Sequence, residues 1–410
     1  MLRRLPSLED VVRERVEARW WRPISEQKRG PNDGADNRLS LSSSVLKVGD
    51  YEIMNSDLRE TSDSKRVECL LCPRQCRIAN GKTGRCLARI NKDGRLYSRF
   101  YGRPCSIAVD PIEKKPLFHF LPGSPILSLG TLGCNLTCKF CQNWQISQTT
   151  QIRIDPNNVV TPESVVKLAL ARRCPSVAFT YNEPTIWAEF IVDASKLCRA
   201  AGIKTVLVTN GIINSPAREE LYEATDAANV DLKAFTSSFY KELCDGSLDT
   251  VKETLLHIVH NSNAWLEITN LLIPTRNDSL DDIKRMCDWI YEQLGPRVPL
   301  HFSAFFPTWR LTNVPPTPSD TILAAKDVAE KSGLAYVYTG NIADDLSQST
   351  FCPQCGTLLV KRSRYQTQLT SNFTTEKVGE TETDVNANKS NRESHCRYCK
   401  NCGRQIDGIF

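Results

Sequence analysis

Seventeen of the 410 residues are cysteine, and twelve of them fall into three tight groups. These are Cys69, Cys72, Cys76 and Cys86, then Cys134, Cys138 and Cys141, then Cys352, Cys355, Cys396, Cys399 and Cys402. This clustering constrains the chain more than any other feature. Thiols at short spacings hold metals in a reducing compartment, whereas disulfide frameworks belong to secreted chains. The N-terminal stretch is charged throughout and lacks the apolar segment of a secretory signal. A cytoplasmic location is expected, with organellar targeting left open. No apolar run approaches the roughly 20 residues of a membrane span, so no membrane association is expected. The net charge, 52 − 47 = +5, is spread along the chain and indicates no specific nucleic-acid partner.

Between the outer cysteine groups the texture is that of alternating strands and helices. Strands are predicted at 126–130, 176–181, 204–209, 228–232, 266–273, 300–305 and 334–338. Helices are predicted at 162–172 with Thr161 as N-cap, 186–201, 248–260, 280–294 and 319–332. Six or seven such units make an α/β fold, a full or partial TIM-type barrel with its working residues at the C-terminal strand ends. A doubly wound open sheet is the alternative. The expected organisation is an N-terminal extension (1–65, largely linker or disordered), a Cys-rich metal-binding unit (66–105), the core barrel (106–345), and a zinc-ribbon-like C-terminal unit (346–410). The last contains a polar, aperiodic insertion at 371–394, expected to be flexible.

The central group reads Gly133-Cys134-Asn135-Leu136-Thr137-Cys138-Lys139-Phe140-Cys141, a CxxxCxxC directly after a buried-looking strand. Three thiolates on one turn of irregular backbone can hold three corners of a cubane iron–sulfur cluster, leaving one iron open. Zinc demands a fourth ligand, and none lies nearby in sequence.

An aromatic before the last cysteine and a place after the first strand of a βα series make this motif resemble the radical S-adenosylmethionine (SAM) enzymes. The resemblance implies a 4Fe-4S cluster on Cys134, Cys138 and Cys141 whose open iron binds SAM. Reductive cleavage then yields a 5′-deoxyadenosyl radical that abstracts hydrogen from a substrate. Asn182 and Glu183 follow the second strand, where relatives place an acidic motif near the SAM amino group. Thr209-Asn210-Gly211 ends the third strand and Asp231-Leu232-Lys233 the fourth, so Thr209, Asn210, Asp231 and Lys233 are implied SAM contacts. The stretch from Asp110 to Gly123, with Tyr181-Asn182-Glu183-Pro184 and Val337 to Asn341, narrows the likeness to the AmmeMemoRadiSam-system radical SAM enzymes, which are similar to pyruvate formate-lyase activating enzymes. That likeness implies a flavodoxin- or ferredoxin-like electron donor and a possible protein substrate.

The flanking groups read as metal sites on their own spacing. Cys69, Cys72, Cys76 and Cys86 suit zinc or a second cluster. Cys352, Cys355, Cys399 and Cys402 form two CxxC knuckles of a zinc ribbon, with His395 and Cys396 as competing ligands. A non-enzymatic multi-zinc protein, binding protein or nucleic acid, is the competing class. The lone Cys105, Cys174, Cys198, Cys244 and Cys287 are expected to be apolar fillers. His119 is expected in the core, and Trp144, His301 and Arg310 are candidates for the cavity or substrate.

Overall fold

The structure is a computed structural model describing residues 16–24, 47–48, 51–52, 65–149, 159–375 and 397–410. Its body is an eight-stranded sheet: β1 (Ser106–Pro111), β2 (Pro125–Gly130), β3 (Ser176–Phe179), β4 (Lys204–Thr209), β5 (Ala227–Asp231), β6 (Trp265–Leu272), β7 (Leu300–Ala304) and β8 (Val337–Gly340). The strands lie side by side in chain order, with β1 and β8 at the two edges. A doubly wound sheet would reverse its order partway, so that alternative is excluded. A fully closed barrel is excluded as well, because the edge strands do not pair.

Strands β2 to β8 are parallel. Their crossovers contain helices α1 (Pro162–Ala171), α2 (Ala188–Ala200), α3 (Ala217–Ala224), α4 (Leu248–Asn261), α5 (Leu280–Gln293) and α6 (Ser319–Lys331). Both faces of such strands are covered, and β3 is accordingly buried at all four positions. Thr161 caps α1 by accepting from Ser164 N, with Pro162 at the first position, as the sequence predicts.

Helix α3 and strand β1 are absent from the sequence-based assignment. Strand β1 pairs antiparallel with β2. Its apolar Ile107 and Val109 face outward while Ser106, Ala108 and Asp110 are more buried. That alternation is opposite to the usual apolar-inside pattern, which hides the strand from a pattern search.

Both flanking units are built onto this sheet. In the N-terminal extension, Trp21–Pro23 pairs with Val67–Cys69, which pairs in turn with Arg77–Ile78. Val16, Ala18 and Trp20 are buried, and Arg19 forms ion pairs with Asp193 and Glu220. Residues 16–24 are thus part of the body, and 47–48 pairs with 51–52. Apart from Lys65, the remainder of the predicted linker lies outside the described residues, as does 376–394 of the predicted insertion. At the other end, the backbones of His119 and Leu121 bond Ile409, and Arg362, fully buried, donates to the Phe118 carbonyl at 2.7 Å. A small apolar cluster including Phe120, Ile126, Ala178 and Val206 packs against β2, β3 and β4.

Candidate active site

The cysteine-bearing loop leaves β2 through Gly130 and is held from three sides. Asn182 Oδ1 accepts from Thr131 N at 3.2 Å, and Asn182 Nδ2 donates to the Gly133 carbonyl at 2.8 Å. Thr137 N and Lys139 N donate to the carbonyls of Cys244 and Leu243, on a single π-helical turn Tyr240–Cys244. Such turns recur at functional sites. Two donors already face the Cys134 sulfur: Leu136 N at 3.4 Å and Asn210 Nδ2 at 3.8 Å. Hydrogen bonds of this kind stabilise a thiolate ligand, and here they oppose burial and the Glu183 carboxylate, which raise the Cys134 thiol well above its usual value. The Cys138 thiol is held below its usual pKa, first by a hydrogen bond from Cys244 and then by Lys233, despite burial. This donor set fits an iron–sulfur cluster.

The three cysteines line a cavity of about 400 Å³ at the C-terminal strand ends. Asn182, Glu183, Thr209, Asn210, Asp231 and Lys233 line the same cavity, so every sequence-predicted SAM contact is brought beside the loop. Their present bonds differ. Glu183 is fully buried, and its carboxylate accepts from Thr185 N, Thr209 Oγ1 and Asn210 N at 2.7–2.9 Å. Burial nonetheless raises its carboxyl pKa. Glu183 therefore also sets the shape of the β3 and β4 ends, a duty the motif alone does not reveal. Lys233 Nζ sits 2.6 Å from Asp231 Oδ2. Burial opposes its charge, but Asp231 and the Cys138 and Cys244 sulfurs raise its pKa well above the usual lysine value.

Sequence reasoning missed the far wall of this cavity. Tyr181 has φ +73°, a rare backbone for a bulky residue, and donates its hydroxyl to Asp110 Oδ2 at 2.7 Å. Lys115 Nζ bonds the same oxygen at 2.7 Å and lies 4.7 Å from the Tyr181 ring. Burial would raise the Asp110 carboxyl, but these two donors hold it far below the carboxylate range. Asp110 and Lys115 belong to the stretch that carries the family likeness, which was the available signal.

A second cavity, of about 350 Å³, shares Lys114, Thr269, Ser303 and Asn341 with the first and reaches Gln348, Arg364 and Tyr365 of the C-terminal unit. His301 lines it and bonds Glu267 at 2.7 Å. Trp144 stacks on Trp309 near the cysteine loop, and Arg310 covers the same ring at 4.6 Å. His119 is a core residue bonded to Asp407 O and the Tyr338 hydroxyl. One of the expected fillers is corrected: Cys105 is exposed. Cys244 is buried in the apolar core, beside Cys138.

In the C-terminal unit, Cys352 and Cys402 sulfurs lie 3.5 Å apart and those of Cys355 and Cys399 3.6 Å apart. Metal–sulfur bonds of ~2.3 Å in a tetrahedron put sulfurs roughly 3.8 Å apart, so these four can hold a single ion. Hydrogen bonds from Thr357 and Asn401 lower the Cys355 thiol to about 5. Gly356 and Gly403 turn the knuckles at φ +69° and +74°. His395 and Cys396 lie outside the described residues. Cys69, Cys72, Cys76 and Cys86 line a separate cavity. Among the described residues no helix is long and apolar enough to cross a membrane.

A family profile described as the Radical SAM superfamily matches residues 129–290. An uncharacterised protein of Methanocaldococcus jannaschii is 40% identical over 351 residues, covering 86% of this chain and 98% of that protein. The pyruvate formate-lyase 1-activating enzyme of Escherichia coli K12 is 24% identical over 221 residues, covering 49% of this chain and 87% of that enzyme. Among solved structures, Streptococcus suis SuiB bound to S-adenosylmethionine matches at 16% identity and a TM-score of 0.42, over 56% of this chain and 52% of that one.

Proposed function

This chain belongs to the radical SAM superfamily, and on that premise we propose that Cys134, Cys138 and Cys141 hold its 4Fe-4S cluster and that SAM occupies the adjoining cavity. Bound there, cluster and SAM supply one-electron cleavage of the SAM C–S bond and hydrogen abstraction from a substrate. The observation that carries the reading is convergence: a three-thiol loop and the polar ends of β3, β4 and β5 line one cavity.

The chain's own residues orient and neutralise. Asn210 and Leu136 N stabilise the Cys134 thiolate. Lys233, kept charged, offers a cation, and Asp231 an anion, to a zwitterionic amino-acid group. Asn182 and Glu183 hold the loop and strand ends at fixed spacing.

The substrate class we propose is a polypeptide. The activating-enzyme relatives, at 24–27% identity, support it. So does the second cavity, which extends the first toward the C-terminal unit and gives an extended segment room. The electron donor is a flavodoxin- or ferredoxin-like reductant, the site is cytoplasmic, and the C-terminal four-sulfur site takes zinc. A purely structural multi-zinc protein would account for that last site but leaves the cavity without a purpose.

Anaerobic reconstitution, followed by SAM and a low-potential reductant, tests the reading. We expect 5′-deoxyadenosine from the wild type and none from Cys138→Ser. A wild-type protein that binds zinc alone and leaves SAM intact would overturn it.

A further inference from the structure

The second cysteine cavity lies behind the active-site loop. Cys69, Cys72, Cys76 and Cys86 line it, together with Arg89 and Asn135. Asn135 directly follows Cys134, and its carbonyl accepts a hydrogen bond from Arg74 of the cysteine-rich unit. Gly133 directly precedes Cys134. A Cβ there would stand 2.0 Å from the Cys86 carbonyl oxygen. The wall between the two cysteine sets is therefore the backbone of residues 133–135.

Two observations say what this cavity takes. The first is spacing. Among the described residues, only Cys352, Cys355, Cys399 and Cys402 bring their ligand atoms within 4.8 Å of one another. The four thiols behind the loop line one space, but no three of them bring their sulfurs mutually within that distance, and neither do the three thiols of the active-site loop. Thiolates around one zinc crowd together, whereas those of a cubane bind four different irons and stand apart. The second is charge. Arg89 is 1% exposed, and only its Nη1 is bonded, to Glu189 at 2.7 Å. Its Nε and Nη2 are buried with no partner. Buried donors left unpaired are rare, and these belong to a cation lining a cavity of sulfurs.

From this geometry we infer that Cys69, Cys72, Cys76 and Cys86 hold a second polynuclear iron–sulfur cluster, of the four-thiolate 4Fe-4S class. Arg89 hydrogen-bonds its sulfurs and offsets its negative charge. The inference decides between the zinc and second-cluster readings that the spacing along the chain leaves open. It stands on the sulfur positions and does not depend on the chemistry at the neighbouring loop.

The test uses the full chain with Cys134, Cys138 and Cys141 all changed to Ser, purified and reconstituted anaerobically with iron and sulfide. We expect roughly four iron and four sulfide per chain to remain, with the electron paramagnetic resonance signal of a reduced 4Fe-4S cluster. Adding Cys76→Ser should abolish both, while the metal held by Cys352, Cys355, Cys399 and Cys402 persists as a sign of folding. Zinc without sulfide in the triple variant, removed by Cys76→Ser, would overturn the inference, and so would no metal at all in that cavity. Should the triple variant fail to fold, the wild type decides. Mössbauer spectra should report roughly eight cluster irons per chain, and a total near four would count against a second cluster. Loss of SAM cleavage in these variants bears only on the active-site reading.

Discussion

At Gly133 the backbone runs at φ +89°, and the Cβ of any other residue would collide with a backbone carbonyl that cannot swing away. Gly133→Ala should therefore separate the cysteine-rich unit from the active-site loop. We expect a loss of about 3 kcal/mol or more, read by chemical unfolding, and reduced iron content after reconstitution. A variant with wild-type stability and iron would show that the two units do not touch as described. Asp110 is the second residue of this kind. Lys115 Nζ has a side-chain exposure of only 3% and rests on the Asp110 carboxylate. Asp110→Asn leaves that buried ammonium without its counter-charge, at a cost of about 3 kcal/mol. It also frees the Tyr181 hydroxyl, so the expected loss should appear in unfolding experiments and in weaker SAM binding by calorimetry. Unchanged stability would mean that water replaces the carboxylate. Neither consequence is legible in the sequence. Asp110 stands in a stretch that can be recognised, and Lys115 lies only five residues on, but Tyr181 reaches it only when β1, β2 and β3 lie side by side.

Seven parallel strands were legible because each is a short apolar run, and most are set off by a helix with its own cap or terminal glycine, such as Thr161 before α1 and Gly333 after α6, whereas α3 has neither. Strand ends, where Thr209, Asn210 and Asp231 carry the site, follow from that pattern. Irregular elements do not. The π-helical turn Tyr240–Cys244 has no sequence period, yet its carbonyls fix the backbone between Cys134 and Cys141. Cys244 sits on this turn with its buried thiol beside Cys138. If the turn acts through its backbone, Cys244→Ala should keep the full iron content of the active-site cluster. The side-chain loss should cost only about 1–2 kcal/mol. Loss of cluster iron in this variant would instead make Cys244 a ligand and displace one of the three assigned thiols.

Across the whole molecule, the C-terminal unit and the sheet meet around a buried histidine. His119 Nδ1 bonds the Asp407 carbonyl at 2.6 Å, and its Nε2 bonds the Tyr338 hydroxyl. The backbone amides of Phe118 and His119 donate to Glu267, which also holds His301, while Arg362 packs over Phe118 and reaches Thr350. Burial pushes the His119 imidazole down to about 4. Glu267 and the Asp407 carbonyl oppose that shift, and Arg362 and His301 reinforce it. The folded protein therefore takes up this proton less readily than the unfolded chain, whose histidine titrates near 6.5. Stability from the neutral ring is complete above about pH 6.5 and declines as pH falls toward 4, where the folded form also becomes protonated. The slope in that window is roughly 1.4 kcal/mol per pH unit, about 3 kcal/mol in all. Acid also strips metal from thiolates, so the wild-type profile alone does not isolate this group. His119→Gln, less stable at neutral pH, lacks the titration and should show a shallower decline between pH 6.5 and 4.5 by about one proton. If both proteins lost stability at equal slope in urea unfolding, His119 would be titrating freely and the C-terminal unit would be docked by other contacts.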